Sequence, residues 1–270
     1  MRVSRARSVA LAAAVIALVG PAVATSSGNQ AVLAEGFGPP ADGWTPCFEE
    51  EAEQAGVVFE CRSIVVPLDY DRPNGKTIEV EMTRIPATDP EARRGSILLN
   101  PGGPGGSGID FVVGFGPFAG FALSPEIPEQ FDLVGFDPRG IARSTPIRCF
   151  RTFEESLEVF PPFPFPVDRA EIRTVRRGDK QLAKACRHDW EARKIGRHMS
   201  TANVARDMDE IRKLVGDQQL NYLGLSYGSY LGATYANLFP ERVGSVVVDG
   251  VLDPVAWVNE EADVPFSTRL

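Results

Sequence analysis

Histidine is scarce in this 270-residue chain: His188 and His198 are the only two. Cysteine is scarce as well. There are four and no C-x-x-C pair, so no metal site is expected. Cations are outnumbered, with 28 Lys and Arg against 36 Asp and Glu and a net charge of −8, which argues against nucleic acid as a partner. Long apolar runs are also missing. A membrane-spanning helix needs about 20 apolar residues, whereas the stretch from Val9 to Val19 is roughly half that and is broken by Gly20-Pro21. Arg2, Arg5 and Arg7 precede this run, and Ala22-Val23-Ala24 follows it, the pattern of a secretory signal. Residues 1–24 are therefore expected to be a signal peptide cleaved after Ala24, leaving a secreted, extracellular protein with no membrane contact and a net charge of −11. No cysteine stands near the cleavage point to carry a lipid anchor.

The cysteines that are present fit export. Cys47 and Cys61 form a close pair, Cys149 and Cys186 a wider one, and of the three possible connectivities these two neighbouring bonds are the simplest. Residues 25–46, rich in Gly, Pro, Ala and Ser, read as a flexible lead-in. From Phe59 to Leu68 and from Thr77 to Ile85 run two candidate strands joined by turn residues Asp71-Arg72-Pro73-Asn74-Gly75, a hairpin. The pattern then changes to short apolar runs at 96–100, 131–136, 221–225 and 243–248, which suit parallel strands buried on both faces. Between them, Val204, Met208, Ile211 and Val215 repeat at helical spacing behind a Ser200 or Thr201 cap, and Tyr230 to Leu238 forms a further helix. One stretch interrupts this alternation. Phe160-Pro161-Pro162-Phe163-Pro164-Phe165-Pro166 is expected to be a polyproline-like loop, followed by a charged helix from about Ala170 to Arg193. An antiparallel start followed by β-α alternation predicts an α/β protein.

Gly224-Leu225-Ser226-Tyr227-Gly228 is a G-x-S-x-G. It follows an apolar strand and precedes a helix, where a sharp turn projects the serine and small residues at Gly224 and Gly228 prevent clashes. Ser226 is thus the candidate nucleophile. A second element, Asn100-Pro101-Gly102-Gly103-Pro104-Gly105-Gly106-Ser107-Gly108, also follows a strand. Glycine lets backbone amides approach a developing oxyanion, so Gly103, with Gly102 next, and the amide of Tyr227 are the expected oxyanion hole. Gly103 to Gly108 also matches the G-x-G-x-x-G dinucleotide pattern. Pro104 removes a needed amide, however, and no strand-end acid lies about twenty residues on, so no cofactor is expected.

Leu99 to Gly105, Gly135-Phe136-Asp137-Pro138-Arg139-Gly140 with Ser144, and the serine elbow together resemble the secreted tripeptidyl aminopeptidase and proline iminopeptidase group of α/β hydrolases. The Arg206-Asp207-Met208-Asp209 helix and Asp249-Gly250-Val251-Leu252-Asp253-Pro254 are similar to the tripeptidyl branch. The resemblance implies an α/β-hydrolase fold, a mostly parallel sheet with helices on both faces, over residues 47–270. It implies a peptide substrate with a free N-terminus, an acyl-enzyme on Ser226, and bracing roles for Asp137 and Arg139.

One requirement is unmet. A serine nucleophile needs a base and an orienting carboxylate, in the chain order Ser, Asp or Glu, His for this fold. No histidine follows Ser226. His188 and His198 both precede it and are expected to be structural or surface residues. Asp249 could stand in as the acid, although the family places that acid later. Six strands of a usual eight are counted, so the chain is expected to be the N-terminal part of such a hydrolase, without its lid and last strands and inactive alone. A lipase or esterase of the same fold, or a non-catalytic fragment acting as a binding module, are the alternative functions.

Overall fold

The computed structural model describes residues 43–161, 166–188 and 190–254. The expected signal peptide, the lead-in as far as residue 42 and the centre of the Pro-Phe loop lie outside the described residues.

A seven-stranded sheet has the order β1-β2-β3-β5-β4-β6-β7. The strands are β1 (Thr45–Pro46), β2 (Glu60–Pro67), β3 (Thr77–Ile85), β4 (Gly95–Asn100), β5 (Phe131–Phe136), β6 (Leu220–Leu225) and β7 (Val243–Asp249). The expected hairpin is β2 and β3, paired antiparallel from Glu60↔Arg84 to Pro67↔Thr77. β3 also meets β5 antiparallel, and β5, β4, β6 and β7 run parallel. Against six expected strands, the addition is β1, two residues at the end of the lead-in that pair with Glu60 and Cys61. A two-residue strand has too little periodicity to register in sequence.

Consecutive residues of the central strands face opposite sides, and this builds two cores. Leu98, Val134 and Tyr222 join Val80, Met82, Met208, Ile211 and Leu231 on one face. Their neighbours Leu99, Leu133 and Leu223 join Phe59, Ile85 and Val112 on the other. The first face is covered by α8 (Thr201–Leu214) and α9 (Tyr227–Leu238), the second by α2 (Gly108–Phe115). Burial on both sides explains why residues 97–99 of β4 and 133–136 of β5 read as unbroken apolar runs.

β7 departs from that expectation. Its valines suggest a buried strand, yet Val247 is 58% exposed and Val248 36%. It is an edge of the described sheet, pairing with β6 alone, so its composition is that of a central strand in a peripheral position.

Helices occupy more of the chain than the periodicity shows. α1 (Glu49–Ala55), α2, and the short α3 (Ala119–Ala122), α4 (Glu126–Gln130) and α5 (Phe153–Leu157) were not legible as amphipathic repeats. The expected charged helix is two, α6 (Arg169–His188) and α7 (Trp190–Gly196). Ser200 caps α8, its Oγ accepting from the Asn203 amide. Disulfides join Cys47 to Cys61 and Cys149 to Cys186. The second, with a sequence separation of 37, ties α6 to the loop after β5, and loop-closure entropy puts such a link at about 4 kcal/mol. No helix among the described residues is long and apolar enough to cross a membrane.

Candidate active site

Ser226 stands between β6 and α9 with φ 55° and ψ −121°, a conformation rare outside glycine. The turn is pinned from three sides. The Ser226 amide donates to the Asp249 carbonyl at 2.7 Å, where β6 pairs with β7. The Ser226 carbonyl accepts from the Ser229 amide at 2.9 Å and the Ser229 hydroxyl at 2.6 Å, and Ser229 Oγ in turn accepts from the Leu252 amide. The side chain is exposed at the strand's end. A Cβ on Gly224 would lie 2.5 Å from the Gly228 carbonyl oxygen and 2.5 Å from the Tyr222 ring, and one on Gly228 would lie 2.9 Å from Asn100 Oδ1. The two flanking glycines are therefore needed because strand and helix backbones meet there. Tyr222 fills the space they leave, its hydroxyl donating to the Gly228 carbonyl at 2.8 Å.

The glycine-rich loop after β4 lies against this turn. Gly102 has φ 91°, and a Cβ there would stand 2.3 Å from the Leu225 carbonyl oxygen, 3.0 Å from the Tyr227 nitrogen and 3.1 Å from Ser226 Cβ. Its amide donates to Asn100 Oδ1 at 2.9 Å. Gly103 follows with φ 113°, and its amide makes no hydrogen bond among the described residues. Tyr227 opens α9, where helix geometry points backbone amides outward, and its hydroxyl meets Thr201 Oγ1 at 2.6 Å. Gly102→Ala is expected to lower stability by about 2 kcal/mol, since both φ and backbone contact oppose a Cβ. A urea midpoint within error of the parent protein would show that the loop yields freely.

Behind the loop is a buried polar layer. Asp137 is fully buried and accepts from Ser107 Oγ at 2.5 Å, the Arg143 amide at 3.0 Å and Arg143 Nη1 at 3.3 Å. Ser107 also caps α2. Arg139, fully buried too, forms a two-pronged pair with Asp207 of α8 at 2.6 and 2.7 Å. Ser144 Oγ accepts from the Glu81 amide, and Thr145 Oγ1 bonds both backbone groups of Glu79. The segment from Asp137 to Thr145 is thereby stitched to β3 beyond the end of β5.

Glu81 is the exception in this layer. Its side chain is buried and Oε2 has no hydrogen-bond partner. Burial, together with the charges of Glu79 and Asp137, pushes its carboxyl from 4.5 up to about 7. A carboxyl raised in the folded state binds more protons there than when unfolded, so its effect is a loss of stability as pH rises from about 4.5 to about 7, with no further change above. Glu81→Gln is expected to remove that slope, a difference on the order of 1–3 kcal/mol at pH 8. Urea unfolding of both proteins at pH 5 and pH 8 measures it, and parallel pH dependences would refute it.

The structure brings Ser226, Gly102, Gly103, Tyr227, Gly224 and Gly228 together, with Asp249 beside them through its backbone. Asp249 gives its carbonyl to Ser226, while its Oδ1 accepts from the Gly250 amide. His188 is on α6, and His198 lies between α7 and α8, its carbonyl accepting from Arg139 and Asn203. Among the described residues neither histidine makes a hydrogen bond to Ser226. Two supporting roles escaped the sequence reading. Asn100 was read as the first residue of the loop, but not as the side chain that orients Gly102. Ser229, three residues after the serine, carries no motif of its own.

Comparison with known proteins identifies the family. The α/β hydrolase fold family matches residues 95–267. Tripeptidyl aminopeptidase of Streptomyces coelicolor is 39% identical over 217 residues, covering 78% of this chain and 39% of that protein. Serine protease Hip1 of Mycobacterium tuberculosis is 38% identical over 253 residues, covering 92% and 46%. Carboxylesterase B of the same organism is 39% identical over 226 residues, covering 83% and 42%. The chain spans less than half the length of each of these relatives. It belongs to the α/β-hydrolase fold family.

Proposed function

We propose that Ser226 is the nucleophile of a secreted serine exopeptidase that removes short peptides or single residues from free N-termini. The observation that carries the reading is the left-handed Ser226 turn with Gly102 pressed against it. Ser226 Oγ attacks the scissile carbonyl, and the amides of Gly103 and Tyr227 receive the developing negative charge. Gly103 is preferred to Gly102 because the Gly102 amide already serves Asn100. Asn100 then acts as a positioning residue, and the Asp137–Arg143 and Arg139–Asp207 pairs hold the loops behind. As the C–N bond breaks, the proton taken from Ser226 passes to the leaving nitrogen and the shortened peptide departs. Water then hydrolyses the acyl-enzyme, releasing the N-terminal fragment and restoring Ser226. The step needs a base for the Ser226 proton, and we assign it to a histidine outside these 270 residues. Asp249, already engaged with Gly250, is not assigned the acid role.

The peptide substrate rests on the relative named tripeptidyl aminopeptidase. Secretion rests on the Arg-led apolar N-terminus and is compatible with the two disulfides. A second reading, an esterase of the same site, is favoured by the equally similar relative named Carboxylesterase B.

A fluorophosphonate probe and a pair of substrates test these readings. The 270-residue chain is expected to label no faster than an ordinary surface serine. Rapid labelling lost in Ser226→Ala would place a working base within the chain and overturn that part of the reading. In a protein of the relatives' length, a tripeptidyl anilide is expected to be cleaved in preference to a short-chain nitrophenyl ester. Ester turnover without peptide turnover would favour the second reading.

A further inference from the structure

The chain's net charge of −8 conceals a local reversal. From Arg169 to Arg197 there are ten Lys and Arg against four Asp and Glu, a net +6, which leaves −14 for the remainder. Besides Arg169 at its first residue, α6 carries six of these cations, Arg173, Arg176, Arg177, Lys180, Lys184 and Arg187, and all are exposed. With 3.6 residues per turn they fall within about 100° of arc and span about 21 Å of helix axis. Glu171 and Asp179 fall outside that arc. None of the six forms an ion pair or side-chain hydrogen bond among the described residues. Elsewhere several cations are matched, Arg84 with Glu60, Arg143 with Asp137 and Arg212 with Asp209.

The opposite side of α6 is the one attached to the protein. Its buried residue, Gly178, sits under the Val159 carbonyl, and Cys186 is bonded to Cys149. The helix is thus held by its back with the cations facing out. Like charges three and four residues apart weaken a helix by about 0.2–0.5 kcal/mol per pair, so this arrangement costs stability until an anion offsets it.

We propose that the exposed face of α6 is a docking surface for a flexible linear polyanion that carries phosphate groups and no bases. The linear run of cations matches a linear run of anions. A stack of nucleic-acid bases finds no extended platform, because the stripe and its neighbours Thr174, Gln181 and Ala183 include no Phe, Tyr or Trp, and one imidazole, His188 at the helix's last residue, flanks it. A bilayer surface fits poorly, since an interfacial helix presents cations and apolar side chains to the same plane. Here Ile172 is the one exposed large apolar residue of α6, at the border of the stripe, and the exposed Phe153, Leu157 and Phe160 belong to the segment around Val159, on the far side from the cations. The acidic body excludes anions elsewhere and confines binding to the stripe.

The test is fluorescence anisotropy of labelled inorganic polyphosphate, about 60 phosphates long, with the full chain between 50 and 200 mM KCl. Binding is expected to weaken with salt, with a log–log slope of about −3 to −4 for five or six cations engaged on a single-stranded polyanion. The variant R173Q/R177Q/K180Q/K184Q, which keeps good helix formers, is expected to bind at least tenfold more weakly at 50 mM KCl and to lose most of the slope. Circular dichroism checks its helicity. R72Q/K76Q, which removes exposed cations outside the stripe, is expected to bind within twofold of the parent protein. No binding at 50 mM KCl, or unchanged binding by the quadruple variant, overturns the proposal. So does tenfold tighter binding to an oligothymidylate of equal charge, or capture by phosphatidylglycerol vesicles that polyphosphate does not reverse. Turnover is not involved, so failure here leaves the hydrolase reading where it stood.

Discussion

Arg139→Met is expected to lower the unfolding free energy by about 3–5 kcal/mol, the usual cost of removing one member of a buried ion pair. Arg139 and Asp207 are both fully buried. Besides its two bonds to Asp207, the guanidinium donates to the carbonyls of Pro67, Leu68 and His198 at 3.0–3.1 Å. Tyr70 donates to Asp207 at 2.7 Å, and its ring centre lies 5.1 Å from the guanidinium carbon. One side chain thus joins the end of β2, the loop after β5, the approach to α8 and α8 itself. Methionine fills similar volume but leaves a buried carboxylate and three carbonyls without that donor. Arg139→Lys is expected to recover little, because an ammonium cannot reproduce a planar, two-pronged contact. R139M/D207N is expected to be more stable than R139M alone, since no isolated charge then remains. Urea unfolding reads all three, and a loss below about 1 kcal/mol in R139M would mean the loops are held by packing instead.

On the proposed mechanism, Ser226→Ala in the catalytically competent protein is expected to reduce peptide turnover by at least about 10⁴-fold, as loss of a serine nucleophile does elsewhere. Fluorophosphonate labelling is expected to vanish with it. Retained turnover in the alanine variant would remove Ser226 from the chemistry. The same residue makes a stability prediction that needs no substrate. Its φ of 55° is unfavourable for any side chain and costs about 1–3 kcal/mol. Ser226→Gly relieves that strain, less about 0.5–1 kcal/mol for glycine's greater freedom when unfolded. Glycine is therefore expected to give a protein more stable than Ser226→Ala by about 1 kcal/mol. Equal stabilities would mean that the three hydrogen-bonded supports, through Asp249, Ser229 and Leu252, hold an unstrained turn.

The parts of the site that were legible in the sequence are those set by local backbone geometry. Gly224, Ser226 and Gly228 could be read because a strand that turns sharply into a helix tolerates few residue types at fixed spacing. The run from Asn100 to Gly108 was readable for the same reason. Long-range partners were not. That Asn100 Oδ1 holds the Gly102 amide, or that Arg139 reaches Asp207 sixty-eight residues later, depends on which strands become neighbours. The sequence pattern alone leaves that open.

By itself the sequence determined the α/β class, the hairpin followed by parallel strands, and the serine elbow beside a glycine-rich loop, because periodicity and turn chemistry act over a few residues. Only the tertiary structure decided the strand order, with β4 between β5 and β6, which brings the Gly102 loop against Ser226. It also decided that β7 lies at an edge of the described sheet despite its valines, and that Glu81 is buried without a partner for one oxygen. It turned the cations of α6 outward along one stripe. These outcomes follow from burial and charge summed over the whole packed chain, where each residue's surroundings come from segments distant in sequence.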